Sequence, residues 1–378
     1  LSDAGTEACA TDATGGAGLR AGRDAGAKSS EPRYDAALAD LALELLRIPS
    51  VTGGEAAIAE FVHEQCTRRG AGSRRIGNCV VATRTGEAGG PRVGLFGHLD
   101  TVPPAADQPC GREDGRLFGC GSSDMKGALA VMLELLARQH RASLVAVFYD
   151  REEGPYLDNG LRSLLAAGAL GRLDVALALE PTANAIQAGC LGGLHAEVAF
   201  AGRRAHSARP WQGENAIYKA HACLGRLAAF APREVVVGGL SFREVMTATT
   251  AVSRGGRNVV PDRFVVNVNY RFAPGKSLEA ARAEVADLVA GDGEIAFVDE
   301  APAGDVAHDH PLLAPWRERH DLAVEPKQAW TDVAQLSEAG IPAINFGPGD
   351  PAQAHKAGEW VDVSALARSY RLLADLLA

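Results

Sequence analysis

DMKGALAVMLELLARQHRASLVAVFYDREEG, residues 124–154, encodes a helix, a strand and a cluster of acids in that order. In DMKGALAVMLELLARQ (124–139) the apolar residues recur at helical spacing behind Gly121, Ser122 and Ser123, so a helix is predicted there. SLVAVFYD (143–150) reads as an apolar strand that runs directly into Arg151, Glu152 and Glu153. On either side lie RVGLFGHLD (92–100), a buried strand with polar residues at its C-terminal end, and DVALALEP (174–181), a third strand ending in Glu180. LRSLLAAGAL between them is helical. Strands that alternate with helices imply an α/β fold: a mostly parallel sheet with helices on both faces. Such sheets bind ligands outside the carboxyl ends of their strands. His98, Asp100, Glu152, Glu153 and Glu180 all fall there.

The pattern changes further out. Residues 1–33 are rich in Ala, Gly and Asp with almost no large apolar side chains, and are expected to be a disordered tail, since they bury too little to offset their ordering entropy. Order is expected from Tyr34, where AALADLALELLRI (36–48) has helical spacing and stops before Pro49. Residues 191–302 carry strands in GGLHAEVAFAGR, VMTATTAVSRG and RFVVNVNYRF, with helices in AIYKAHACLGRLAAF and LEAARAEVADLVAG. These suggest an inserted α+β domain built of hairpins. Residues 303–378 return to α/β character with PAINFGPG and a closing helix, VSALARSYRLLADLLA. The expected organisation is a first domain of residues 34–190 and 303–378, interrupted by a second of residues 191–302.

Composition limits the function. In 378 residues, 47% are apolar, 22% are charged and the net charge is -9, ordinary for a globular protein and unsuited to nucleic acid, which needs clustered Lys and Arg. No stretch approaches the ~20 apolar residues of a membrane span, and the N-terminus shows no apolar secretory core. Seven scattered cysteines, none in a C-x-x-C pair, read as reduced thiols of a cytoplasmic enzyme.

Five acid or imidazole groups fall at strand ends or loop starts: His98, Asp124, Glu153, Glu180 and His355. Imidazole and carboxylate together suit zinc and, less well, cobalt or manganese. Two metals sharing a carboxylate would need about this inventory, and Glu152 could then shuttle a proton as general base and acid. Each residue has a duller reading. His98 alone is more often structural, Asp124 at a helix start is more often an N-cap, and paired acids in a loop are usually just solvated. Glu180, ending an apolar run, is harder to dismiss, because an unpaired carboxylate is costly there.

GHLDTVP (97–103), GCGSSDMKGALAVM (119–132), YDREEG (149–154), LEPT (179–182) and AHKAGEWV (354–361) resemble, in order and spacing, the five metal-site motifs of M20 metallopeptidases. The resemblance covers roughly residues 36–378. It implies a two-zinc catalytic domain with an inserted lid, or dimerisation, domain. It implies that His98 and Glu180 bind one zinc, Glu153 and His355 the other, and that Asp124 bridges them. Asp100 would orient His98, and Glu152 would be the general base and acid. AGRRAHSARPWQGENAI (201–217) resembles the family's lid motif, whose histidine, here His206, enters the partner subunit's site in dimeric members. NVVPD (258–262) and NYRFAPG (269–275) resemble lid motifs in which Asn258 and Arg271 would contact substrate. WTDVAQL (330–336) and NFGPGD (345–350) would flank it, with Thr331 and Gly347 able to donate to a carboxylate.

The segments around 119–133, 148–154, 206–219 and 269–275 look most like succinyl-diaminopimelate desuccinylases within that family. The implied substrate is a small N-acyl amino acid, most closely N-succinyl-LL-2,6-diaminopimelate, handled by a homodimer. Some desuccinylases have basic residues at the start of the lid, where this chain has Cys190-Leu191, so an acetylornithine deacetylase, another N-acyl-amino-acid amidohydrolase or a dipeptidase is the alternative. A non-catalytic metal-binding scaffold is the remote one, opposed by the intact Glu152 and ligand set. Cys120 reads as a small buried apolar residue rather than a nucleophile.

Overall fold

The computed structural model describes residues 31–378, so most of the segment expected to be a disordered tail lies outside the described residues. The first helix begins at Glu31, three residues before Tyr34, and runs to Leu46.

Eight strands form the large sheet, in the order 72–76, 79–84, 143–149, 92–98, 175–178, 343–345, 186–188 and 324–326. The strands ending in His98 and Tyr149 run parallel at its centre, and 175–178 lies parallel to both 92–98 and 343–345. Antiparallel pairs occur toward the two edges. The central strands are apolar on both faces because both faces are covered. The helices Glu31–Leu46, Gly127–Leu136 and Val363–Leu376 pack on one side, around Leu45, Leu129, Leu133 and Leu373. Gly160–Ala166 and Val333–Glu338 cover the other, around Phe96, Tyr149, Leu161 and Leu336.

Residues 192–301 supply a five-stranded antiparallel sheet, ordered 233–237, 240–253, 263–272, 192–201 and 294–301. Its central strands alternate cleanly. Leu194, Val198, Phe200, Val266, Val268 and Phe272 pack under the helices His221–Ala228 and Leu278–Val289. Their odd-numbered neighbours point to the opposite face. The chain leaves and re-enters the large sheet at one place, where Cys190 and Gly304 exchange backbone hydrogen bonds of 3.3 and 3.1 Å. A cleft of ≈ 490 Å³ lies between the open face of the five-stranded sheet and the carboxyl end of the large one.

The helix predicted from residue 124 begins at Gly127 instead. Asp124 and Met125 have non-helical backbone angles (φ -124°, ψ 90° and φ -137°, ψ 31°), which turn the Asp124 side chain away from the helix axis.

Candidate active site

His98 ends its strand almost fully buried. Its Nδ1 lies 3.0 Å from the Asp100 carbonyl oxygen and 3.5 Å from the Asp100 carboxylate, and its Nε2 lies 3.1 Å from Asp124 Oδ1. The other Asp124 oxygen is 3.6 Å from His355 Nε2, which is itself 2.9 Å from Glu153 Oε1. Asp124 thus stands between two imidazoles with one oxygen toward each.

Asp100 does more than face His98. Its carboxylate accepts the backbone N–H groups of Glu152 and Glu153, both at 3.0 Å, and the Thr52 hydroxyl at 2.9 Å. It therefore ties the end of one central strand to the loop after its neighbour. Burial alone would push the Asp100 carboxyl up, but His98 and these amides hold it below the usual range. Arg151, at the head of that loop, has φ 60°, and His355 has φ 61°. Both non-glycine residues adopt the left-handed conformation, which is held against local preference by the surrounding structure.

Three overlapping sets of donor atoms lie within 4.8 Å of one another: His98, Asp124 and Glu180; Asp124, Glu153 and His355; and His98, Glu152 and Glu153. The first two share Asp124. Burial and neighbouring acids push Glu152 and Glu153 upward and bring Glu180 to about 7. One Glu180 oxygen is buried with no hydrogen-bond partner. Crowded carboxylates beside two imidazoles, with an orphaned buried oxygen, fit a pair of divalent cations in borderline ligation.

Three residues overlooked in the sequence support this centre. Glu359, 2% exposed, accepts the N–H groups of Gly121, Ser123 and Asp124 at 2.8, 2.7 and 3.0 Å. Asp332 is fully buried beside Tyr149, accepts a 2.9 Å hydrogen bond from Asn159 and another from Gln335, and is pushed up to about 6 by burial. Lys327 is a nearly buried cation facing Asp124 and Glu180, with Nζ 3.5 Å from the Pro181 carbonyl oxygen. An isolated acid or lysine in a loop carries no period or spacing that distinguishes it from a solvated one.

The remaining expected site residues are spread differently. Arg271 lines the cleft together with Glu152 and Glu153. Thr331 is buried, its hydroxyl unpartnered. The Gly347 N–H is engaged by Thr182 Oγ1 at 3.0 Å, and an added Cβ there would lie 2.3 Å from the Leu179 carbonyl oxygen. That glycine answers to close packing, and its amide is spent inside the fold. His206 and Asn258 sit on a separate exposed ribbon, where 205–206 pairs with 259–260, and neither lines this cleft. Cys120 has its thiol pushed up by burial and lies 3.4 Å from the Val102 carbonyl oxygen. No described cysteine is in a disulfide. Among the described residues no helix is long and apolar enough to cross a membrane.

Residues 94–378 match the profile of Peptidase family M20/M25/M40. A succinyl-diaminopimelate desuccinylase of Corynebacterium glutamicum is 37% identical over 87% of this chain and 95% of its own. A Mycobacterium tuberculosis protein that carries that name provisionally is 40% identical over 88% of this chain and 96% of its own. Among solved structures, a Bacillus subtilis protein described as a dinuclear metal binding peptidase from the M20 family superposes with a TM-score of 0.68 at 16% identity, covering 92% of this chain and 98% of the other.

Proposed function

The chain belongs to peptidase family M20/M25/M40, and from that membership we propose that it is a two-metal hydrolase of an N-acyl amide whose substrate is N-succinyl-LL-2,6-diaminopimelate. The products are succinate and LL-diaminopimelate, a precursor of lysine and of cell wall, made in the cytoplasm. The observation that carries the reading is Asp124, with one oxygen toward His98 and the other toward His355, while Glu152 joins His98 and Glu153 in an adjoining donor set. The length and identity of the match to the Corynebacterium desuccinylase support the choice of acyl group.

His98, Asp124 and Glu180 would hold one cation, and Asp124, Glu153 and His355 the other, zinc being the ion their imidazole and carboxylate donors favour. When bound, the pair supplies Lewis acidity at the acyl carbonyl and acidifies a water. As general base and acid, Glu152 would take a proton at one carboxylate oxygen from the water that adds to the acyl carbon, and pass it to the amide nitrogen as the C–N bond breaks. Asp100, by accepting both loop amides, keeps the Glu152 and Glu153 side chains in register. Arg271 holds a substrate carboxylate, a pairing that guanidinium geometry favours. His206 and Asn258, exposed on their ribbon, are available to the site of a second copy in a homodimer.

Steady-state hydrolysis by zinc-loaded protein tests the reading, with N-succinyl-LL-diaminopimelate beside N-acetylornithine. A kcat/KM preference of ~100-fold or more for the succinyl compound, about 2.7 kcal/mol of differential transition-state binding, is expected. Preference for acetylornithine would replace the substrate and leave the two-metal chemistry standing. The comparison is needed because Cys190 and Leu191, both buried, offer no cation where some desuccinylases have one.

A further inference from the structure

The wall of the cleft opposite Glu152 and Glu153 is the open face of the five-stranded sheet. In register there, Arg271 pairs with Gly193, and Asn269 pairs with His195. The strand 294–301 continues the rows: Ala301 lies opposite Gly193, and Asp299 lies opposite His195.

That last pairing depends on a β-bulge. Phe297 is opposite Ala196, and the next residue to find a partner is Asp299, not Val298. Without the extra residue, Val298 would stand on the cleft face and Asp299 would point under the helices. Instead Val298 is 56% exposed at the sheet edge and a carboxylate occupies the cleft.

Two charged groups on this wall have no hydrogen-bonded or ion-paired partner. Among the described residues, neither the Arg271 guanidinium nor the Asp299 carboxylate makes a hydrogen bond or an ion pair, and both line the cleft. Arg271 is half-buried and leans across Gly193, where an added Cβ would come within 2.8 Å of its terminal nitrogen. Gly193 and Asp299 are diagonal neighbours on adjacent strands, a separation of roughly 7–8 Å. The two charges attract each other without forming an ion pair, and they are near enough to bracket a small group that carries both signs. In the same cleft the Tyr156 and Trp330 rings meet edge to face at 5.6 Å, a surface suited to an aliphatic spacer.

We propose that Asp299 and Arg271 form a subsite for the free α-amino-acid head at the far end of the substrate, Asp299 taking the ammonium and Arg271 the carboxylate. This rests on the acylated-diaminopimelate reading above and deepens it. Every other charge on that substrate is a carboxylate, which Asp299 would repel. The carboxylate at 299 is therefore useful to a ligand only through a cation, and it selects acylated diamino acids over acylated simple ones.

The test compares metal-loaded wild type with Asp299→Asn on two compounds, N-succinyl-LL-2,6-diaminopimelate and N-succinyl-L-2-aminopimelate, which lacks only the distal ammonium. Wild type is expected to prefer the first by about tenfold or more in kcat/KM, and Asp299→Asn to narrow that ratio to about threefold or less. A ratio that is already near one in wild type, or that stays the same in the variant, overturns the subsite. So does an equal loss on both compounds, which is what a mere counter-ion of Arg271 would give. Calorimetric binding of free LL-diaminopimelate separates this from the reading beneath it. If neither succinyl compound is cleaved but LL-diaminopimelate binds at least about tenfold more weakly to Asp299→Asn, the desuccinylase reading falls and the subsite stands. If turnover is normal and neither the ratio nor the binding depends on residue 299, the subsite falls and the reading stands.

Discussion

Glu152 and Glu153 are adjacent in the chain, yet the site separates their tasks. Glu153 Oε1 is 2.9 Å from the His355 imidazole, while Glu152 belongs only to the donor set that it shares with His98 and Glu153. Both backbone amides are pinned on Asp100, so the different directions of the two side chains are set by one anchor. A carboxylate free of the shared Asp124 clusters is the one able to carry a proton. Glu152→Gln keeps the size and removes the base, and kcat is expected to fall by about 10²–10⁴-fold. Metal content after gel filtration should stay at the wild-type value. A variant with near wild-type kcat would exclude Glu152 as the base, and one that lost metal would make it a ligand instead. The two acids of YDREEG read on their own as a solvated pair, and the expectation of a base beside a ligand came only from the likeness of that motif to the M20 metal-site pattern. The part played by Asp100 was legible only in half. Its neighbourhood to His98 is local, whereas its bonds to residues 52 positions on and beyond exist only once two strands lie side by side.

The turn before the helix Gly127–Leu136 is the element on which the centre hangs. The sequence predicts a helix from Asp124, since nothing local opposes it, and its periodicity over 127–136 is correct. Asp124 and Met125 lie off the helical path, and Glu359, 235 positions beyond Asp124, takes the amides of Gly121, Ser123 and Asp124. A tertiary acceptor that outcompetes helix propensity leaves no trace in a local window. Glu359→Ala would leave three buried N–H groups without an acceptor, at about 1–3 kcal/mol each before relaxation. Stability from urea unfolding is therefore expected to drop by roughly 2–4 kcal/mol, and the metal retained after dialysis should drop with it, because Asp124 loses its fixed direction. Full metal content and an unchanged midpoint would mean that the turn holds its shape unaided. The β-bulge at Val298 is invisible in sequence for the same kind of reason. GEIAFVDEA reads as a regular strand, and a single skipped pairing decides which face Asp299 takes.

Across the whole molecule, two sheets of different construction are joined where Cys190 meets Gly304, and the candidate centre lies where the open face of one looks onto the carboxyl end of the other. The strand-end acids were readable because a parallel sheet brings its carboxyl ends together whatever the loops do. The opposite wall, with His195 and Asp299, was not readable, since no local pattern says which sheet will be brought against which. The centre that results is a repulsive one: Asp124, Glu152, Glu153 and Glu180 crowd against each other, with His98, His355 and Lys327 as the nearby basic side chains. Burial brings the Glu180 carboxyl to about 7, against ~4.3 in an unfolded chain. At that carboxyl the metal-free fold therefore binds more protons than the unfolded chain between those values, and its contribution to stability falls as pH rises from ~4.3 to about 7. Divalent ions that bind only the folded protein remove this penalty and add about 2.7 kcal/mol at one hundred times their Kd. Chelation followed by thermal unfolding should lower Tm by several degrees at pH 8, by roughly 2–4 °C per kcal/mol as a lower-end guide from smaller domains. The gap between metal-loaded and metal-free protein should close as the pH falls toward 5, because protons then relieve the same repulsion and compete for the same donors. Glu180→Gln, which removes one of the crowded charges, should raise the Tm of the chelated protein at pH 8 while lowering that of the metal-loaded one. A Tm indifferent to chelation at every pH would mean that these acids are balanced within the fold, and the two-metal reading would lose its physical ground.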